Sequence, residues 1–256
     1  MMQAMLATPS IARAARWLVA AGALIGAALA LAADAAAPVA AGAAASAPDT
    51  LAQRMLACTA CHGKEGRASS EGYFPRIAGK PAGYLYNQLL NFREGRRRGG
   101  RMGGLLEHLN DAYLKDMATY FGSLDLPYPR PQRSDASPAS LARGEQLVRH
   151  GDPTRQLPAC VACHGDALMG QLPATPGLLA LPRDYLVAQL GRWKVGVRRA
   201  TAPDCMAQIA EHLSGDDLNA LVHWLSSQAV PAGAKPAPAP VTPLPMRCGS
   251  APGPNR

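Results

Sequence analysis

Aromatic residues make up only 5% of this 256-residue chain, and acidic residues number 18 against 26 lysines and arginines. Aromatic rings bury the most area per side chain. Their shortage leaves any small domain here dependent on Ala, Leu and Val, and on whatever else can fill an interior. The shortage of acids leaves a formal charge of +8. Cysteine is limited to six residues, and none follows the one uncharged N-terminal run, Trp17 to Ala32, where a lipid would be attached. That run is slightly short for a membrane span. Preceded by Arg13 and Arg16 and followed by small residues around Ala30, Ala32 and Ala35, it reads as a secretory signal peptide over residues 1–35, with an uncleaved anchor as the alternative.

Four of the six cysteines fall in two copies of Cys-x-x-Cys-His: Cys58-Thr59-Ala60-Cys61-His62 and Cys160-Val161-Ala162-Cys163-His164, 102 positions apart. Two thiols at this spacing can each add to a vinyl group of one haem while the adjacent imidazole reaches the iron. The motifs therefore predict two covalently attached haem c groups, with Cys58, Cys61, Cys160 and Cys163 as the attachment thiols and His62 and His164 as proximal ligands. A zinc site or a thioredoxin-like pair uses Cys-x-x-Cys but does not need the trailing histidine. Covalent haem attachment agrees with export, and both place the mature protein in a bacterial periplasm. There the remaining charge of +6 or +7 points away from nucleic acid and toward redox proteins with acidic docking surfaces, because charge complementarity raises encounter rates. Membrane association would come through such partner complexes.

The sequence between the motifs repeats itself. At a constant offset of 101 stand Pro75 and Pro176, Pro81 and Pro182, Tyr84 and Tyr185, Gln88 and Gln189, Phe92 and Trp193, Gly95 and Gly196, and the arginine pairs 97/98 and 198/199. The offset then becomes 104, matching Met102 with Met206, His108 with His212, Leu114 with Leu218 and Tyr120 with Trp224. This predicts an all-α chain of two tandem haem-wrapped domains, residues 50–125 and 137–229. A flexible Ala/Pro-rich segment at 36–49 precedes them, a linker at 126–136 joins them, and a Pro/Ala-rich tail at 230–256 follows. Each unit has only about 70 to 90 residues, a size at which a haem would supply much of the missing interior. Expected helices run from Leu51 into the first motif, from about Pro81 to Arg97, from Asn110 to Gly122, and from Pro138, capped by Ser137, to Arg149. Ser214-x-x-Asp217 is a capping box for the last helix.

A haem with one protein ligand is open to oxygen or peroxide, whereas a second ligand closes it and favours electron transfer. Met102 and Met206 are the candidate sixth ligands, since each follows an Arg/Gly loop and stands at an equivalent place before the last helix of its repeat. His108 and His212 also match and are the competing candidates. Met55, Met117 and Met169 read as core filling, and His150 and His223 as structural or solvent-facing. Pro75 and Pro176 are placed to offer a carbonyl to the proximal histidines, or are simple loop turns. Arg93, Arg96, Arg97, Arg98 and Arg101, and in the second repeat Arg192, Lys194, Arg198 and Arg199, would pair with haem propionates, dock a partner, or form a solvated face. Cys205 and Cys248 remain, an even number that suggests a disulfide pinning the tail against the second methionine loop, or a mixed disulfide with a partner.

The segments Ala57 to Gly63, Phe74 to Gly79 with Tyr84-Leu85, Met102 to Leu109 and Tyr120-Phe121, with Gly144 to Leu147, Pro158 to Gly165, Pro176, Tyr185-Leu186 and Met206, resemble the dihaem cytochrome c4 family of tandem class I cytochrome c domains. The resemblance spans residues 50–227. It implies His/Met-ligated haems that pass single electrons from a quinol-oxidising complex or dehydrogenase to a terminal oxidase, with no substrate chemistry of their own. Ala180-Leu181 in place of Gly79-Lys80, Cys205, and the cysteine-bearing tail depart from it. They keep open a dedicated cytochrome subunit of a dehydrogenase; a dihaem enzyme with an open iron and a structural subunit are the readings from other classes.

Overall fold

The computed structural model describes residues 49–69 and 72–251; the expected signal peptide and nearly all of the lead-in lie outside them. The described chain is helical. Its first half holds α1 (Leu51–His62), α2 (Ala82–Arg93), α3 (Met102–Leu106) and α4 (Asp111–Ser123). The second holds α5 (Pro138–Arg149), α6 (Val161–His164), α7 (Arg183–Lys194), α8 (Cys205–His212) and α9 (Gly215–Ser227). Two-residue strands β1 (Gly170–Gln171) and β2 (Thr175–Pro176) pair antiparallel between α6 and α7.

Helix starts follow the side chains that satisfy the free N–H groups of a first turn. Thr50, Asn110, Ser137 and Asp204 each accept from a backbone N–H of the helix they precede, and Pro138 sits at the first position of α5. Ser214 and Asp217 form the expected capping box of α9. In two respects the helices differ from expectation: Met102 and Met206, expected in loops, lie on the short helices α3 and α8, and two helices end early. α2 stops at Arg93, and α7 at Lys194, because Gly95 and Gly196 adopt φ of 71° and 70°, a left-handed turn that glycine takes without steric cost. Each turn folds the chain back so that Arg97 N–H bonds to Asn91 and Arg198 N–H to Arg192.

Each half has its own core. In the first, α2 and α4 pack around Leu85, Leu106, Leu114, Met117 and Phe121. In the second, α5 crosses α9 and buries Leu147, Val148, Leu221, Val222, Trp224 and Leu225. The crossing is tight at Gly144, where a Cβ would stand 2.3 Å from the Ala220 carbonyl oxygen. Met55, Met117 and Met169 are buried in these cores, as their reading as filling implied. Among the described residues the first cluster has seven buried apolar side chains against fifteen in the second.

The segment between α4 and α5 is extended but clamped. Arg76, buried, donates to the carbonyls of Leu126 (2.6 Å) and Pro127 (2.9 Å) and lies over the Tyr128 ring. Further on, Gln132 N–H bonds to Ser226, and Arg183 donates to Arg133 and Gln132.

Candidate haem sites

Both Cys-x-x-Cys-His motifs lie on helix: Cys58 and Cys61 within α1, and Cys160 to His164 at and through α6. One helical turn puts the two thiols of a motif on adjacent positions of one face, with the histidine beside the second. All four cysteines are free and half-buried. Burial pushes the thiols of Cys58 and Cys163 up, and that of Cys160 to about 12.

Both histidines are buried. His62 Nδ1 donates to the Pro75 carbonyl at 2.9 Å and His164 Nδ1 to the Pro176 carbonyl at 2.7 Å. Burial lowers both imidazole pKa values, in spite of the carbonyl contact that works the other way. The ring is thereby neutral, protonated on Nδ1, and presents its Nε2 lone pair.

In the second half one apolar cavity is lined by Cys160, Cys163, His164 and Met206, with Leu186, Leu190, Ile209, Leu221 and Leu225 around them. In the first half Met102 opens α3 and packs, with Cys58, against the cluster that contains Leu85 and Phe121. His108 and His212, the competing candidates, are both exposed. His150 is exposed too, while His223 is buried and hydrogen-bonded to Ser134.

The arginines split into two groups. Arg93 and Arg96 pair with Asp111 and Glu94 at the surface, and Lys194 caps the carbonyls of Ala210 and Leu213. Arg97 and Arg198 instead are buried, at 8% and 4% exposure. They meet as an isolated antiparallel bridge across the two halves. Arg97 donates to Gln88 (2.9 Å), Gln189 (2.8 Å) and the Tyr185 hydroxyl (3.2 Å); Arg198 donates to Gln189 (2.9 Å) and Gln88 (3.2 Å) and reaches the Tyr84 hydroxyl at 3.5 Å. Each guanidinium also stacks on an aromatic ring, Phe92 or Trp193. Neither forms an ion pair with a carboxylate among the described residues. Matching of Tyr84, Gln88, Tyr185 and Gln189 between repeats was visible in the sequence, but their convergence at the boundary was not.

The residues of the second half fit a haem. The cavity supplies paired thiols, a free imidazole nitrogen, a thioether and apolar walls. The buried arginines supply positive charge without a protein anion. Trp193 Nε1, on the same cavity, is a buried donor with no acceptor, which a propionate would provide. A zinc reading does not fit, since among the described residues no group of three His, Cys, Asp or Glu side chains is placed to hold a metal ion. Lys80, from the first half, also lines the second cavity.

No protein-family model matches the chain. It is 34% identical over 174 residues to the thiosulfate dehydrogenase electron acceptor of Thiomonas intermedia, covering 67% of this chain and 78% of the relative. It is 32% identical to cytochrome c4 of Pseudomonas aeruginosa, covering 67% and 84%. Among solved structures, reduced cytochrome c4 from Pseudomonas stutzeri matches with a TM-score of 0.58 and 30% identity, over 69% of this chain and 96% of that one. Thiosulfate dehydrogenase TsdBA of Marichromatium purpuratum matches with a TM-score of 0.61 and 31% identity; there the match covers 68% of this chain but only 37% of the other.

Proposed function

This chain belongs to the cytochrome c4 family and is an electron-transfer cytochrome, and from that premise we propose that it is a periplasmic dihaem relay, closed to substrate at both irons. Cys58, Cys61, Cys160 and Cys163 hold the two haem c groups, His62 and Met102 ligate the first iron, and His164 and Met206 the second. The observation that carries this reading is the single cavity lined by two motif thiols, a neutral buried imidazole and the thioether of Met206. Each haem, when bound, supplies a one-electron iron couple whose potential a thioether raises.

The rest is done by the protein. Pro75 and Pro176 fix the tautomer of the histidines, the apolar walls exclude water, and Arg198, on the cavity, with Arg97 beside it would offset the charge of haem propionates. Outside partners are redox proteins with acidic surfaces, met by the basic face of the chain. The donor is a quinol-oxidising complex or a dehydrogenase, and the acceptor a terminal oxidase. Relatives named as electron acceptors of thiosulfate dehydrogenase favour the second kind of donor.

A spectroelectrochemical titration of the purified holoprotein tests this. Two haems per chain and a far-red methionine-to-iron band for both are expected. Met102→Ala and Met206→Ala should each remove about half of that band. A resting protein that binds cyanide or peroxide rapidly and tightly would refute the closed-iron reading.

A further inference from the structure

The tail beyond α9 does not trail away from the second half. Ala237 pairs with β1 on the side of His164: Leu172 N–H donates to its carbonyl at 2.9 Å and its own N–H donates to Gly170 at 2.8 Å. The chain then passes along the cavity, placing Leu244 and Met246 in the lining that also holds His164 and Met206. It arrives at the start of α8, where Cys248 is disulfide-bonded to Cys205, the residue before Met206. Next to that bond Gly249 N–H donates to the Pro203 carbonyl at 2.9 Å. Beyond the disulfide, Asn87 of the first half donates to the Ser250 carbonyl at 2.9 Å, and the buried Ser250 hydroxyl, on the cavity, lacks a partner.

The strap is thus tied on the histidine side of the cavity, on its methionine side, and to the other half of the molecule. Among the described residues nothing corresponds to it at the first methionine. There Leu105 is 66% exposed, a Cβ at Gly104 would meet open space, and Arg98 and Arg101 are exposed beside it.

We propose that residues 238–251 are an intramolecular cover, latched by Cys205–Cys248, that shuts the second haem site to external redox proteins and leaves the first half as the port for exchange. The molecule then stores two electrons, one per site, which enter and leave through one face. This rests on the two-haem reading above, and the test separates the two.

In a Met102→His chain the first iron carries two imidazoles and drops in potential, so that ascorbate reduces the second site alone and the internal route outward is uphill. Three such chains are reduced with ascorbate and mixed with oxidised plastocyanin, an acidic copper protein. One keeps the strap intact, one carries Cys205→Ser with Cys248→Ser, and one carries Cys205→Ser and ends at Ala237. The last retains Val230 and Ala234, the tail residues that pack on the core, so its fold is kept. The far-red thioether band of the second site reports its oxidation. At least a tenfold faster second-order rate is expected without the strap, and an intermediate gain without the disulfide. Hydrogen exchange at residues 238–251 should rise in the disulfide-free chain. Equal rates in all three, with the band present, overturn the cover and leave the haem ligation standing. A missing far-red band in all three overturns the methionine reading instead, and the cover is then judged from the Soret change in the same traces.

Discussion

Arg97 and Arg198 face each other across the boundary between the halves, each guanidinium shared between Gln88 and Gln189. Two buried like charges this close cost free energy unless an anion lies with them. Burial, and then the charge of Arg97, hold the Arg198 pKa below its ordinary value, which is the signature of that cost. Haem propionates are the anions that the proposed cofactors would bring.

Replacing either arginine should therefore act on the haem potentials. A buried cation favours the less positive, reduced iron, and a unit charge at an effective dielectric of ~20 is worth about 1–2 kcal/mol over ~10 Å. Arg97→Gln and Arg198→Gln are each expected to lower at least one midpoint potential in a spectroelectrochemical titration. Arg→Lys should retain most of the potential, because it keeps the charge, while losing the bidentate sharing.

Lys80 makes the two sites unequal. It is contributed by the first half to the cavity of the second, and its counterpart one repeat later is Leu181. Lys80→Met should lower the potential of the second site and leave the first nearly unchanged. Equal shifts at both would show that the lysine acts as general surface charge.

Gly144 is where α5 meets α9, with room for no Cβ beside the Ala220 carbonyl and the Trp224 Cβ at 2.8 Å. Gly144→Ala must part the two helices, and overpacking of this kind costs about 1–3 kcal/mol. The expected result is a lower denaturant midpoint for the second half with its haem still attached, measured by urea titration of the holoprotein.

Acid sensitivity should be concentrated at Asp217 and Asp152. Burial works to raise the Asp217 pKa, but bonds from Arg155 (2.6 Å), Ser214 (2.8 Å) and Arg143 (2.9 Å) outweigh it and hold it well below the usual range. Asp152 is held at about 2 by Thr154, Arg143 and Arg155. Both folded-state values lie below the unfolded ones, so the stability they add is present above pH ~4 and is lost as pH falls toward ~2. Asp217→Asn removes the charge that Arg143, Arg155 and Ser214 share and should cost about 1.5–3 kcal/mol at neutral pH, the worth of hydrogen bonds to a charged group. It should also flatten the acid limb of a plot of urea midpoint against pH.

Much of this was legible along the chain. The starts of α5 and α9 were written in Ser137-Pro138 and in Ser214-x-x-Asp217, since capping is a contact between residues three apart. The partners of His62 and His164 could be named as Pro75 and Pro176, because the loop between them is short. The sequence predicts α2 to run to Arg97, four residues past its observed end, because nothing in Glu94 to Arg97 marks Gly95 as the left-handed turn. The disulfide of Cys205 and Cys248 stood only as one of two options, because parity of cysteines says nothing about where a proline-rich tail lies.

The candidate ligands and attachment thiols were determined by sequence alone, because Cys-x-x-Cys-His and the repeated methionine carry their chemistry within one turn or one loop. Which arginines turn inward, which glutamines they share, and which face the tail covers were decided by tertiary structure. The arginine and glutamine contacts join residues about a hundred positions apart, and the tail's disulfide and its bridge to β1 join residues 43 and 66 apart, so only the packed chain brings them within bonding distance.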